Sequence, residues 1–361
     1  MNGDSEVRSS IRVLIVDDSA FMRTALSRMI ASEPELEVVG TAASGRDALG
    51  KIAALDPHVV TLDVQMPGID GLETLRRIMT QCPRPVIMVS ATTEKDAEAT
   101  FTALGAGAFD YIPKQLSATS LDILHIRNDL IAKIRAAAES RGHRPSSAPA
   151  RKPPRPAVQD GSSDSAVPTI IAIGTSTGGP KALQEIIPTL PCDLPVPILV
   201  VQHMPLGFTA PFAQRLNALS SVTVREAVHR EVIQAGVVYI APAGLHMTVD
   251  RFSDACSRIH LDSEPAHSLH IPSVDVLMKS VATAYGSAAL GVIMTGMGCD
   301  GLEGIKAIYR RGGITIGQDE STCTVYGMPR ACAELNILTR VVPLSQITAQ
   351  ILRATLYRKR A

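Results

Sequence analysis

The chain has no tryptophan, and aromatic residues make up only 3% of its 361 residues. Proteins that hold single-stranded nucleic acid by base stacking need more aromatic side chains than this. Lysine and arginine number 35, as do aspartate and glutamate, so no net charge attracts the chain to nucleic acid or to an anionic membrane. The sequence contains no apolar run of about 18 residues, the length of a membrane-spanning helix. Its N-terminus, MNGDSEVRSS, lacks the basic and apolar regions of a secretion signal, and we expect a cytoplasmic protein.

The six cysteines are scattered, and none forms a CxxC pair. This spacing argues against disulfides and against a zinc site, and we expect reduced, mostly buried cysteines. Apolar residues make up 45% of the chain and charged residues 19%, which is typical of a globular protein. The length is sufficient for two domains.

A stretch rich in proline, serine, arginine and glycine divides the chain. Residues 136–168 contain hardly any large apolar side chain, so this stretch cannot build a core and is typical of a linker. Its basic cluster, residues 151–155, suits either a phosphate-binding patch or a solvated extended spacer, and we favour the spacer. We predict an N-terminal domain at residues 11–130, a linker at 131–167 and a C-terminal domain at 168–357.

In the N-terminal domain, short β-branched apolar runs alternate with helical patterns. The runs are IRVLIV, LEVVG, HVVTLDV, PVIMVSA and FDYIP, beginning at residues 11, 36, 58, 85 and 109. One helical pattern places on a single face Phe21, Ala25, Leu26, Met29 and Ile30. Such alternation predicts a doubly wound parallel α/β sheet, in which ligands bind beyond the carboxyl ends of the strands.

Five polar side chains follow the ends of these strands: Asp17, Asp18, Asp63, Ser90 and Lys114. Taken singly, each aspartate is explained as a turn or helix-capping residue. Together, three carboxylates in one crevice repel one another unless a cation lies among them, and Mg²⁺ prefers such oxygen ligands. A lysine and a hydroxyl at the same edge suit a phosphoryl group. The pattern therefore predicts a phosphoryl site that uses magnesium.

Residues 11 to about 130 resemble a response-regulator receiver domain. The resemblance is carried by VDDS, LDVQMPGIDGLE, VSA and DYIPK. It implies a flavodoxin-like fold in which Asp63 accepts phosphate from a histidine kinase. The implied Mg²⁺ ligands are Asp18, Asp63, Asp17 acting through water, and the backbone carbonyl of Gln65. The resemblance also implies three switch residues. Ser90 and Lys114 hold the phosphoryl oxygens, and Tyr111 changes rotamer.

The sequence departs from that family at two positions. Gln115 follows Lys114 where the family usually has proline, often after a cis bond, and a non-proline cis bond costs about 2.5–4 kcal/mol. Gln65 stands where related esterase regulators often carry glutamate, so one negative charge is missing. The loop shape around the lysine and the lifetime of the phosphate are therefore left open.

In the C-terminal domain, an apolar strand at residues 170–173 runs into GTSTGGP, which places Ser176 before a helix start. The free N–H groups of a helix start stabilise negative charge, as a developing oxyanion requires. GTSTG matches the GxSxG elbow of α/β-hydrolases, but that fold needs an aspartate and then a histidine downstream, and the last histidine is His270. A nucleotide loop is excluded because neither GxGxxG nor GxxxxGK[ST] is present. A tight turn without chemistry stays a third interpretation.

Two later strands complete an acyl-transfer set. PILVVQHMP carries His203 at its end, and ALGVIMTGMGCDG leads to Asp300. Either residue alone is more often a polar cap than a catalytic group. The ends of neighbouring parallel strands lie side by side, so Ser176, His203 and Asp300 together supply a nucleophile, a base and an orienting acid. We predict a second doubly wound, mostly parallel α/β domain that carries this triad.

Residues 168–357 resemble the catalytic domain of the chemotaxis protein-glutamate methylesterases. The matching motifs are GTSTGGP, QHMP, IAPAGLHM, PSVDVLM, MTGMGCDG and QDESTCTVYGMPRA. The resemblance implies that Ser176 is the nucleophile, His203 the general base and Asp300 its orienting acid. It also implies an oxyanion hole formed by the Met297 N–H with Thr177 nearby.

The implied reaction is hydrolysis of glutamate γ-methyl esters on chemoreceptors with release of methanol, together with deamidation of glutamine and without a cofactor for the ester step. The unphosphorylated receiver of such proteins hinders access to the catalytic cleft, and phosphorylation relieves this. The alternative is a DNA-binding response regulator with an atypical output domain. The basic linker favours it, whereas the neutral charge and the α/β pattern argue against it.

Some polar residues near these motifs receive no role from the sequence. His246, His267 and His270 precede PSVDVLM in polar segments, and we expect surface loop histidines there. Cys299 adjoins Asp300 without a paired base of its own, and we expect a small packing residue.

Overall fold

A computed structural model describes residues 10–91, 93–114, 120–142, 166–253, 256–266 and 268–355. The chain divides into two compact units, Met1–Arg144 and Pro145–Ala361. None of the described helices combines the length and the hydropathy that crossing a bilayer requires.

The described part of the N-terminal unit alternates five strands with five helices. The strands are β1 (Ile11–Val16), β2 (Leu36–Ala42), β3 (Val59–Asp63), β4 (Val86–Ser90) and β5 (Asp110–Pro113). The helices are α1 (Ala20–Ile30), α2 (Gly45–Leu55), α3 (Gly71–Gln81), α4 (Glu94–Gly105) and α5 (Ser120–Gly142). All strand pairs are parallel, in the order β2-β1-β3-β4-β5. This is the flavodoxin-like order, and it confirms the predicted fold class.

Side-chain caps fix where these helices begin. The hydroxyls of Ser19, Ser44 and Thr93 and the carboxylate of Asp70 each accept an N–H from the first turn of the helix that follows. In α1 the core stripe consists of Met22, Leu26, Met29 and Ile30. Phe21, predicted on that face, is 70% exposed, because it lies about 100° around the helix from Met22.

The last helix of this unit corrects one predicted boundary. The linker predicted at 131–167 begins as helix, since α5 continues to Gly142. Its apolar side chains at helical spacing belong to the receiver core, namely Leu130, Ile131, Ile134 and Ala137. Burial of this stripe explains why the segment is helical rather than extended. Residues 143–165 lie outside the described part of the chain.

The C-terminal unit is built on a larger parallel sheet. Its described strands are β6 (Ile170–Thr175), β7 (Ile198–Gln202), β8 (Thr223–Glu226), β9 (Val237–Ile240), β10 (His246–Ser253), β11 (Cys256–Asp262), β12 (Ala289–Ile293), β13 (Ile314–Gln318) and β14 (Arg340–Val342). Its helices are α6 (Gly179–Ile186), α7 (Thr209–Leu219), α8 (Val274–Tyr285), α9 (Leu302–Arg310), α10 (Met328–Glu334) and α11 (Leu344–Ala354). Single 3₁₀ turns lie at Ile187–Thr189, Gly286–Ala288 and Glu320–Thr322.

The strand order of this sheet shows where its ligands bind. Among the described residues, seven parallel strands run β14-β13-β12-β6-β7-β9-β8, while β10 and β11 form a separate antiparallel pair. The chain moves from β6 to one side through β7 and returns to the other side through β12. The order therefore reverses between β6 and β12, and the carboxyl ends of these strands border the crevice where α/β sheets bind ligands.

The cysteines differ in part from expectation. All six lie in described residues, and none forms a disulfide. Only Cys332 is buried, whereas Cys192 and Cys299 are exposed. Cys299 is therefore not the packing residue that the sequence suggested, because it lies in the open turn between β12 and α9.

Replacing Ile134 tests whether this segment belongs to the receiver core. Ile134→Ala should destabilise the N-terminal unit by about 2–5 kcal/mol, because it leaves a cavity in a closed core. The measurement is hydrogen exchange of the β1 and β3 amides in the full chain. Glu139→Ala, at an exposed position of the same helix, is the control. Equal protection in the two variants would show that the segment only links the units.

Candidate phosphorylation and catalytic sites

The acidic residues predicted in the N-terminal unit meet at one sheet edge. Asp17 and Asp18 follow β1, and Asp63 ends the adjacent β3. One ligand oxygen from each of the three lies within 4.8 Å of the others. Lys114, after β5, places Nζ 2.9 Å from Asp17 Oδ2 and 2.6 Å from Asp63 Oδ2. The strand order therefore brings the predicted carboxylates and the lysine into direct contact.

The charge balance of this cluster suits a divalent cation. Three carboxylates face one ammonium group. Burial raises the pKa of Asp63 to about 6, and the charge of Asp17 adds to this effect although Lys114 opposes it. A cavity of about 620 Å³ opens beside Asp18, Asp63 and Gln65. Carboxylate oxygens at this spacing are the donor set that Mg²⁺ prefers, so the residues fit the metal that the receiver resemblance implied.

Two contacts at this site were not anticipated from the sequence. Arg23 donates from one guanidinium nitrogen to the carbonyls of Asp17 and Asp18, at 2.8 and 2.9 Å, and so shapes the acidic loop. The side-chain amide of Gln65 donates to Asp96, which also accepts from the Thr93 hydroxyl. Because position 65 carries glutamine and not glutamate, its side chain is a neutral amide, and this amide bonds to α4. Gln115, the other departure, lies outside the described residues.

Ser90 and Tyr111 lie where the receiver pattern predicts but point to α4 and α5. The Ser90 hydroxyl lies 3.3 Å from the Asp96 carbonyl and accepts from Thr100 at 2.8 Å. Tyr111 is buried, packs edge-to-face on Phe101 and lies under Lys133 Nζ at 5.3 Å. A hydroxyl has one proton to donate, so Ser90 can donate to α4 or to a phosphoryl oxygen, but not fully to both.

In the C-terminal unit, Ser176 and His203 follow paired positions on neighbouring strands. Thr175 of β6 is in register with Gln202 of β7, and the His203 N–H donates to the Thr175 carbonyl at 3.2 Å. Ser176 is half-buried, while the adjoining residues of its turn are buried. Ser176 is therefore the accessible residue of a tightly packed turn.

Gln202 ties this turn to the histidine, a role that was not predicted from the sequence. Its side-chain amide donates to the Ser176 carbonyl at 3.0 Å and to the His203 carbonyl at 2.9 Å, while its oxygen accepts from Thr175. The oxygen lies so near α6 that a Cβ on Gly179 would be 1.9 Å from it. The close approach of this buried amide thus explains Gly179, whereas Gly178 is required by its positive φ of 76° and by Thr324, which a Cβ there would meet at 2.4 Å.

His203 is hydrogen-bonded to Asp300 on one side of its ring only. Nε2 lies 2.8 Å from Asp300 Oδ2. Because an ionised carboxylate only accepts, Nε2 carries the proton and Nδ1 of the neutral ring is bare. Nδ1 is buried and has no hydrogen-bond partner in the described residues. A buried basic nitrogen at the strand end next to Ser176 suits a general base.

Asp300 is held by the start of α8, not by its own helix. Its carboxylate accepts the N–H of Val274 at 2.7 Å, the N–H of Asp275 at 3.0 Å and the Ser273 hydroxyl at 2.9 Å. Burial alone would raise the pKa of Asp300, but His203 and these amides outweigh it and hold the pKa well below its usual range. The carboxylate therefore stays ionised, as an orienting acid requires.

A second carboxylate completes a reciprocal arrangement of the two helices. Asp275, in the first turn of α8, accepts the N–H groups of Gly301 and Gly304 at 3.0 and 2.7 Å. Asp300 thus binds the start of α8 while Asp275 binds the start of α9. The general capping preference of aspartate was foreseen, but its partner in each case belongs to the other helix.

The predicted oxyanion groups border Ser176. Ser176 N donates to the Thr295 carbonyl at 3.0 Å. A Cβ on Gly296 would lie 2.9 Å from Ser176 Cβ, so the segment that contains Met297 runs past the serine. The backbone N–H groups of Thr177 and Met297 form no hydrogen bond within the described part of the chain. Two unused backbone donors near a serine suit an oxyanion hole.

Comparisons with known proteins agree with this geometry. A family model described as CheB methylesterase matches residues 171–351, and one described as response regulator receiver domain matches residues 13–124. A protein-glutamate methylesterase/protein-glutamine glutaminase from Oleidesulfovibrio alaskensis is 45% identical, over 95% of this chain and 99% of the relative. The chain belongs to the CheB methylesterase family.

Other relatives extend the same similarity. A protein-glutamate methylesterase/protein-glutamine glutaminase from Halalkalibacterium halodurans is 46% identical, over 96% of this chain and 99% of the relative. The crystal structure of the Thermotoga maritima CheB methylesterase catalytic domain is 39% identical, with a TM-score of 0.50, over 52% of this chain and 99% of that domain. Membership in the CheB family disfavours the alternative of a DNA-binding regulator.

Two of the three loop histidines can be placed, and one expectation about them was wrong. His246 is only 1% exposed and lies in β10, so it is not a surface residue. His270 stacks on the His203 ring, with centroids 4.0 Å apart and planes inclined by 21°. His267 lies outside the described residues. Nothing in the spacing of these histidines indicated a contact with the catalytic base, because it arises from the packing of a loop against another strand end.

Proposed function

We propose that this chain hydrolyses glutamate γ-methyl esters on the cytoplasmic part of chemoreceptors, and that phosphorylation of Asp63 activates it. The observation that carries the proposal is that Ser176 and His203 follow paired positions of neighbouring strands, with His203 Nε2 bonded to Asp300 and a buried Nδ1 that has no partner among the described residues. The names of the full-length relatives support the substrate class. Such a substrate places the enzyme in the cytoplasm.

Acylation uses the serine, the histidine and the aspartate in turn. Ser176 Oγ attacks the ester carbonyl while Nδ1 of His203 accepts its proton, and Asp300 stabilises the imidazolium through Nε2. The carbonyl oxygen becomes an oxyanion, which the Met297 and Thr177 N–H groups receive. His203 then gives its proton to the methoxy oxygen, so methanol leaves and the glutamyl group remains on Ser176.

Deacylation repeats these steps with water. His203 removes a proton from water, the hydroxide adds to the acyl carbon, and the serine oxygen leaves with the proton that His203 returns. The products are a free glutamate side chain and the regenerated serine. Attack on a glutamine side chain releases ammonia instead of methanol, so the same residues perform deamidation. The groups named here are sufficient for both reactions.

Phosphorylation acts at the other unit, with a histidine kinase of the chemotaxis system as phosphodonor. Asp63 accepts the phosphoryl group, and Lys114, 2.6 Å away, neutralises part of its charge. Asp17, Asp18, Asp63 and the Gln65 carbonyl would hold Mg²⁺, which offsets the negative charge of the phosphoryl oxygens. Ser90 then donates to the phosphoryl group in place of the Asp96 carbonyl. This exchange releases α4, and rotation of Tyr111 follows the change.

Removing the serine hydroxyl tests the nucleophile. Ser176→Ala should abolish methanol release from methylated receptor membranes, because alanine has no oxygen that can attack the ester carbonyl. Methanol is measured by radiolabel from the methyl ester. Cys299→Ser, altering an exposed residue near Asp300, is the control and should retain activity. Near-parental turnover by the alanine variant would refute the assignment.

Asp300→Asn tests the orienting acid. The asparagine amide offers donors where Val274, Asp275 and His203 already donate, so the histidine loses the tautomer that leaves Nδ1 bare. We expect the rate of methanol release to fall by about 10⁴, as in the serine-protease triad, with KM unchanged. A rate close to that of the parent enzyme would mean that Asp300 has only a capping role.

Asp63→Asn tests the regulatory site. Acetyl phosphate with Mg²⁺ should stimulate methanol release by the parent, whereas the variant should keep its basal rate and show no stimulation. The parent treated with a chelator should behave like the variant, because the phosphoryl charge is then unbalanced. Equal stimulation of parent and variant would place the phosphoacceptor elsewhere.

A further inference from the structure

The stacked ring of His270 has no part in the mechanism above. It belongs to residues 268–273, here called the His270 segment, which enters α8 directly. Within the described residues of the C-terminal unit, this segment contacts both partners of the acid–base pair. His270 lies against the face of His203, and the Ser273 hydroxyl donates to Asp300 at 2.9 Å.

The two contacts on His203 restrain different motions. The hydrogen bond from Nε2 to Asp300 fixes one corner of the ring but allows the ring to tilt about that corner. The stacking of His270 on His203, at 4.0 Å and 21°, opposes that tilt. If the His203 ring tilted towards His270 the two rings would clash, and if it tilted away they would lose van der Waals contact. Nδ1, on the far side of the ring from Asp300, is the atom whose position depends most on the tilt.

The His270 segment is anchored at one end by the buried ring of His246 and at the other end by the Pro265 carbonyl, which the same ring contacts. Nδ1 of His246 accepts the Ser273 N–H at 3.1 Å, and Nε2 lies 3.3 Å from the Pro265 carbonyl. The same carbonyl accepts the Ser268 N–H at 3.2 Å. A backbone bond from Gly244 N to the Ile271 carbonyl, at 3.1 Å, adds a third anchor. The segment is therefore held in place independently of any contact with substrate.

The anchoring requires His246 in its neutral form. Nδ1 must be bare to accept from Ser273, so the proton lies on Nε2 and points to the Pro265 carbonyl. Burial lowers the pKa of His246, which favours this neutral form. The His246 ring thus accepts the Ser273 N–H through Nδ1 and donates to the Pro265 carbonyl through Nε2.

We propose that His270 is a positioning residue for the catalytic base, presented by a segment that His246 holds closed. This rests on the proposed function of Ser176 and His203. His270 supplies a ring face, not a proton, since it meets His203 face to face. A parallel aromatic face also interacts favourably with the imidazolium that forms during acylation.

The experiment separates ring contact from polarity. His270→Gln keeps polar atoms but removes the ring, whereas His270→Phe keeps a ring without polar atoms. Each full-length variant is assayed for methanol release, giving kcat and KM. Each is also assayed for the rate at which phenylmethylsulfonyl fluoride sulfonylates Ser176, a reaction that forms the Oγ–S bond and expels fluoride. The small reagent depends on His203 but needs no receptor binding.

We expect His270→Gln to lower kcat by about ten- to a hundredfold, with KM unchanged and a parallel fall in sulfonylation rate. His270→Phe should retain most of both rates. Leu269→Ala changes the adjacent side chain, which is 80% exposed, and should match the parent. His270→Ala is a second ringless variant, so failure of one variant to fold leaves the other for the comparison.

Three results would overturn the proposal. Parental rates in the ringless variants would show that the stack has no effect on the base. A raised KM with unchanged sulfonylation would make His270 a receptor contact. A loss in His270→Phe equal to that in His270→Gln would assign the effect to polar atoms. If the parent released no methanol, the substrate proposal would fail by itself, and the sulfonylation rates would still decide the role of His270.

Discussion

The carboxylate of Asp300 is the group on which the catalytic unit depends. It is largely buried and ionised, and a charge that is mostly removed from water is tolerated only where donors surround it. Here the donors are His203, the Ser273 hydroxyl and two amides at the start of α8. The same carboxylate therefore bonds to His203, the proposed base, and joins the start of α8 to the turn after β12. The packing of α8 and the proposed orientation of His203 thus both require the negative charge of Asp300.

The two units solve the problem of buried carboxylates in opposite ways. In the N-terminal unit, Asp63 has Lys114 beside it but also Asp17, and burial raises its pKa to about 6. In the C-terminal unit, neutral amides and an imidazole lower the pKa of Asp300. The first arrangement leaves negative charge that a divalent cation and a phosphoryl group can use. In the second arrangement, the donors already compensate the charge of Asp300, which suits a group that stays ionised through the reaction.

Strand ends and their chemistry were predictable because they depend on local patterns. Short β-branched runs predicted the strands, and the parallel arrangement implied that residues such as Asp63 and His203 face shared crevices. Errors arose where burial depends on distant packing. Phe21 is exposed although it adjoins an apolar stripe, and His246 is buried although a surface loop was predicted there. The helix beyond residue 130 was missed because the predicted domain boundary was set too early, although Ile131 and Ile134 continue the apolar helical spacing.

The amino-acid sequence by itself determined the family, the two α/β units and the residue types at each strand end, since these follow from motifs and periodicity along the chain. Only the tertiary structure decided which nitrogen of His203 meets Asp300, which helix start binds that carboxylate, and that Gln202, His246 and His270 surround the base. These contacts join residues that are distant in sequence. Their partners depend on strand order and on the exact packing of loops, which no local pattern encodes.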